Sequence, residues 1–299
     1  GDLPAGPSGM TLYELLAEPF IAFAFMRRAL AACLALALGC GPVGVLLVLR
    51  RMSLMGDAMS HAVLPGAALG FLISGLSLWA MSLGGFIAGV LVALLAGATS
   101  RATDQQEDSS FAAFYLMALA SGVLLVSLRG GNVDLMHVLF GTILAVDDAG
   151  LLLVASISSA SLLIIAVLYR PLIVECFDPG FLRAVGGGGA AAHLIFLVLV
   201  VLNLVGGFQS LGTLMAVGLM MLPAAAAKFW AEQVWTMAGV AALIAFASGW
   251  SGLLMSFHFN LPSGPSIILT AGAAYLASMA LGPVGSLRAR WLPGRHLEA

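Results

Sequence analysis

Charge is what this chain has least of. Asp, Glu, Lys and Arg make up 9% of its 299 residues, where a soluble domain carries about 25%. Too few polar side chains remain to cover a water-facing surface, which excludes a free soluble domain. Lys228 is the sole lysine, and no basic cluster runs along the chain, so no nucleic-acid partner is expected. Cysteine is scarce too: Cys33 and Cys40 share one apolar run, and Cys176 stands alone in a polar segment. That spacing fits neither a zinc cluster nor a disulfide framework, and the three read as small packing residues. No Gly-x-x-x-x-Gly-Lys-Ser/Thr loop occurs, so ATP hydrolysis is not expected of this chain itself. No nucleophile–base arrangement stands out. No catalytic residue and no permanently bound cofactor are assigned. The alternating pattern of a membrane β-barrel is missing.

What fills the chain is apolar sequence, 61% of it. It falls into nine runs: Ala29–Leu49, Ala62–Trp79, Leu83–Thr99, Phe111–Ser127, Gly150–Leu168, Ala190–Val205, Leu211–Phe229, Met237–Met255 and Ser266–Leu281. Runs of about 17–22 residues suit a helix that crosses hydrocarbon. The expected fold class is all-α, a polytopic transmembrane helical bundle of eight to nine spans. Leu135–Val146 is apolar but too short to cross, and reads as a half-helix on one side. Residues 1–9 read as an expression scar before Met10. Residues 10–28, where Glu14 and Glu18 precede the apolar part, read as an interfacial helix. Residues 29–285 then form one membrane domain and 286–299 a cytoplasmic tail.

Lys and Arg set the expected orientation. With Arg170–Gly189 cytoplasmic, that side also holds Arg50, Arg51, Arg101, Arg183, Lys228, Arg288, Arg290 and Arg295, against Arg27, Arg28 and Arg129 outside. Nine spans then put the N-terminus outside. Spans one to four and six to nine can form an inverted pair, because an offset of five spans reverses direction. Val63–Phe71 and Met221–Phe229 look alike in that frame. Gly41-Pro42, Pro65-Gly66 and Pro223 are candidate helix breaks around a substrate path, or else proline kinks between packed helices.

The chemistry concentrates at Asp57 and His61. On a helix, residues four apart share a face one turn apart. An ionisable side chain near a bilayer core is costly and points to a functional site. Carboxylate plus imidazole make half a site for a divalent transition metal. The bland alternative is a capping Asp and an interfacial His. Asp134 and His137 read as solvated loop residues. His258 lies in an outer loop, as a ligand on the way in or a contact for a docking partner. His193 and His296 read as interface and tail residues. In the polar segment 169–189, Asp178 can cap a short helix with Pro179 at its first position, and Gly186–Gly189 stop it. That helix would display Phe177, Phe181 and Arg183 to the cytoplasm.

Three stretches, Arg50–Gly66, Tyr169–Gly186 and Ser210–Ala227, together with Leu261–Ser266, resemble the permease subunit of bacterial zinc/manganese/iron ABC importers, the ABC-3 metal permeases. The resemblance runs from residue 27 to about 285. It implies a fold similar to vitamin B12 and siderophore importers in the bacterial inner membrane. It implies a permease homodimer, two cytoplasmic ATPase subunits and an extracytoplasmic metal-binding protein. It matches Asp57 and His61 to the family's intramembrane metal site, with Zn2+ or Mn2+ as cargo and Fe2+ as a further option. It matches Phe177, Asp178, Phe181, Arg183 and Gly186 to the segment that docks the ATPase. Gly180 and Leu182 depart from the family's usual acidic residue and alanine. The alternatives are a secondary metal carrier without an ATPase, or a haem, siderophore or cobalamin permease.

Overall fold

The computed structural model describes residues 13, 16–75, 77–128, 143–184, 186 and 188–288. All regular structure among the described residues is helical. A short helix, α1 (Glu18–Ala22), ends where Phe23 turns extended. The first long helix, α2 (Ala24–Leu49), starts at once, so it takes in Arg27 and Arg28. α3 (Ser53–Ser74) and α4 (Leu78–Ala102) form a hairpin closed by Gly75 at φ +66°. α5 (Glu107–Leu128) follows. A single 3₁₀ turn, Ile143–Ala145, leads to α6 (Asp148–Val167), whose cap is Asp147: its Oδ1 accepts from the Gly150 N–H at 2.7 Å. Two short helices come next, α7 (Tyr169–Phe177) and α8 (Pro179–Ala184). The rest is α9 (Gly189–Leu211), α10 (Thr213–Ala227), α11 (Val234–Phe259) and α12 (Ser263–Leu281).

Eight of these helices are long and apolar enough to cross a membrane. Helix α10 has 15 residues, about 22 Å at 1.5 Å per residue, less than the roughly 30 Å of hydrocarbon. The expected seventh span, Leu211–Phe229, is thus shorter than its apolar run. Gly206 and Gly207, just past the expected end of the run Ala190–Val205, lie inside α9, where a Cβ would meet Ile157 and Ala216. The turn falls instead at Gly212, φ +85°. None of the candidate proline breaks interrupts its helix: Pro42, Pro65 and Pro223 sit inside α2, α3 and α10. The kink reading survives there and the break reading does not. Asp134, His137, Arg129, most of Leu135–Val146, residues 1–9 and His296 lie outside the described residues.

α2 and α9 are the buried centre, with about two-thirds or more of their spans covered, while α4, α5 and α12 turn most of theirs outward. Outward-facing Leu83, Ile87 and Leu91 on α4 are exposed, as lipid contact requires. α3, α4 and α5 pack on one another, and so do α10, α11 and α12. α2 packs on α10 and α11, whereas α9 packs on α3 and α4. α9 packs on α6 and α10 as well.

Candidate functional site

Asp57 and His61 sit in the second and third turns of α3. Their helix begins at Ser53, nine residues before the apolar run expected of the second span, because the mixed stretch 53–61, with Ser53, Asp57, Ser60 and His61 among apolar residues, is helical as well. The Ser60 hydroxyl closes onto the Asp57 carbonyl at 2.7 Å. Pro65 has no N–H to give to the His61 carbonyl, so that turn lacks one bond of the helical ladder. Gly56 fits under the side chains of Met220 and Met221 of α10.

His61 Nε2 lies 3.8 Å from Asp57 Oδ1. This is too long for a hydrogen bond. It is within reach of a shared ion, since two donor atoms about 2.1 Å from one cation are at most about 4.2 Å apart. The Asp57 side chain is 60% exposed and that of His61 31%, so the pair opens on one side. Tyr115 of α5 stacks on the imidazole, centroids 6.2 Å apart at 26°. A recess of about 200 Å³ between α3 and α5 is lined by Asp57, Asp108, Phe111 and Tyr115. His61 Nδ1 is buried and makes no hydrogen bond. Among the described residues, no third His, Cys, Asp or Glu joins this pair to make a closed metal cluster.

His258 is not brought to them. α11 runs antiparallel to α2: Met237 and Ala241 cluster with Val45 near the end of α2, while Phe257 lies 5.4 Å from Phe23 before its start. His258, edge-on to Phe257, is therefore at the opposite end of the bundle from the Ser53 end of α3.

The segment 169–184 forms two helices in place of one. Asp178 caps the second, its Oδ1 accepting from the Phe181 N–H at 2.8 Å. Phe177 and Phe181 stand exposed. Leu182 is buried, so a larger side chain than alanine is accommodated by the interior. Arg183 lies in the backbone of α8, and Gly186 takes φ +70°.

Sequence reading missed a second polar group. His193, expected as an ordinary interface residue, is buried. Arg50, expected as a loop cation, points inward and donates from Nη1 to His193 Nδ1 at 2.9 Å. Its Nη2 reaches Glu175 Oε1 at 3.4 Å, and its guanidinium lies 4.7 Å over the Phe196 ring. The three side chains are at most 10% exposed. Tyr115 and Asp108 were also missed, since each lies in another element with no spacing relation to Asp57.

A model of the ABC 3 transport family matches residues 22–282. The chain is 33% identical over 282 residues to the manganese transport system membrane protein MntC of Halalkalibacterium halodurans, covering 94% of this chain and 95% of the relative. It is 33% identical over 261 residues to the manganese import system permease protein ScaB of Streptococcus parasanguinis, covering 87% and 92%. The solved structure of PsaBC from Streptococcus pneumoniae in complex with Fab superposes with a TM-score of 0.81 at 31% identity, over 95% of this chain and 99% of that one.

Proposed function

Because the chain belongs to the ABC 3 transport family, as its multi-span membrane permease, we propose that it passes divalent manganese across the bilayer as one subunit of an ATP-driven importer. The observation that carries this reading is the Asp57–His61 pair, 3.8 Å apart on the open face of a membrane helix. The names of the manganese relatives support the choice of cargo. The donor set itself would also admit zinc and ferrous iron.

Two ligands leave most of the coordination shell to water or to neighbouring groups. A cargo site needs that openness, since the ion must leave as well as arrive. Asp57 supplies charge that replaces part of the ion's hydration. His61 adds a nitrogen donor that magnesium and calcium prefer less. The Tyr115 ring limits where the imidazole can swing. In this reading a second copy of the chain faces the open side of α3, two ATPase subunits sit on the cytoplasmic face against α7 and α8, and an extracytoplasmic protein delivers the ion. The membrane is the bacterial inner membrane.

Uptake of manganese into liposomes holding the permease and its ATPase tests the reading. Asp57→Ala and His61→Ala should each cut uptake to background, while the protein inserts and assembles as before. Removing a charge from a membrane helix does not by itself unfold it. Normal transport by both variants would place the site elsewhere. A gradient-driven uptake with no ATPase present would favour a secondary carrier.

A further inference from the structure

We infer that the buried Arg50–Glu175–His193 cluster is the joint through which the segment 169–184 sets the position of the metal-site helix α3; this rests on the reading that an ATPase docks on that segment. Three elements meet there. Glu175 belongs to α7, which ends at Phe177 and hands the chain to α8. His193 lies in the first turns of α9. Arg50 caps the end of α2, and α3 starts three residues later at Ser53.

The turn between Arg50 and Ser53 is held in an uncommon conformation. Arg51 has φ +58°, a region that a side chain other than glycine enters at a cost. The Met52 N–H bonds to the Leu47 carbonyl at 3.1 Å, so the turn is fixed from the α2 side. Cys176 adds a weak second tie, its thiol donating toward the Leu46 carbonyl at 3.9 Å. A displacement of α7 therefore reaches Arg50 directly, and Arg50 sits at the root of the helix that presents Asp57 and His61.

A merely adhesive contact would not require this composition. The Phe196 ring already lies under the Arg50 guanidinium and is itself buried, and apolar groups of like volume hold such interfaces at least as well as a buried ion pair. What ions add is direction. Arg50 reaches one oxygen of Glu175 and the ring nitrogen of His193 at once, while Glu175 Oε2 is buried and makes no hydrogen bond. The carboxylate thus has a second oxygen that Arg50 or another donor can take up when α7 shifts. Two arrangements of one pair give the element the discrete states that long-range coupling needs. Arg50, Glu175 and His193 are positioning residues in this scheme, since none of them is placed on the ion.

The test is the number of manganese ions taken up per ATP hydrolysed, measured in liposomes with the permease and its partner ATPase. Glu175→Gln keeps the shape and removes the charge. It should lower uptake per ATP by about fivefold or more, with the ATPase still co-purifying and basal hydrolysis unchanged. Glu175→Asp, which restores the charge on a shorter stem, should recover part of the ratio. Should Glu175→Gln fail to reach the membrane, Arg50→Lys takes its place and is read by the same ratio. An unchanged ratio overturns the joint, whether total activity is normal or falls with the amount of assembled complex. Failure of the functional reading is distinct: the unmodified permease would then show no ATP-dependent manganese uptake at all.

Discussion

Burial pushes the Cys176 thiol up to about 11, with Glu175 raising it further and Arg50 opposing. At pH 7.5 only about 3 in 10,000 of these groups would be thiolate. With Cys33 and Cys40 replaced by alanine, maleimide should label the half-buried Cys176 far more slowly in native membranes than after unfolding; equal rates in the two states would contradict its raised value. The sign of the linkage follows. A folded-state value raised above the ordinary 9.0 favours folding below about pH 9, and that contribution is lost as pH rises through about 11. At this scale the sequence was informative only where partners are near each other in the chain. Asp57 and His61 share one face of one helix, so their spacing alone brings them together. Arg50 meets partners 125 and 143 residues away. Tyr115 comes to His61 from another helix. No local period encodes such meetings, and they were found only in three dimensions.

The α3–α4 hairpin owes its closeness to glycine. A Cβ on Gly66 would run into the carbonyl of Gly84 and the Ala88 side chain, and one on Gly84 would run into the carbonyl of Gly66. Backbone cannot swing aside as a side chain can. Gly66→Ala should therefore cost about 1–3 kcal/mol through forced separation of the two helices. A thermal melt of the purified variant in detergent should show a clearly lower midpoint; an unchanged midpoint would mean that the seam has slack. Small residues let membrane helices approach in this way. Helix number and type were legible in the apolar runs because lipid forces backbone bonds to be satisfied within each segment. Helix ends were less so. Pro65-Gly66 looks like an interruption and Gly206-Gly207 lie past the expected end of their run, yet the helix continues through both. The polar start of α3 was hidden for the opposite reason, since apolarity marks spans and not helicity.

Phe177 and Phe181 stand exposed on the polar middle segment that is proposed to dock the ATPase. Phe181→Asp should leave membrane insertion intact and reduce co-purification of the partner ATPase by roughly tenfold or more, in line with truncating an aromatic anchor at an interface. Undiminished co-purification together with full transport would move the docking site off α8. At this scale the inverted pair is a proposal drawn from span counting and one short internal likeness, and the helix contacts are a finding of their own. α2 lies against α10 and α11, and α9 lies against α3 and α4. These contacts have a consequence for how the protein is made. A ribosome delivers α2 as the first long helix and α11 nearly last, with residues 50–233 between them. Until then α2 has chiefly α6 and α9 against it, without the two helices that complete its cover, while α3, α4 and α5 can assemble as soon as they emerge. The first long helix is thus among the last to have its cover completed, so a chain halted before residue 213 would leave the α10 and α11 side of α2 bare and open to proteolysis, however complete its first half.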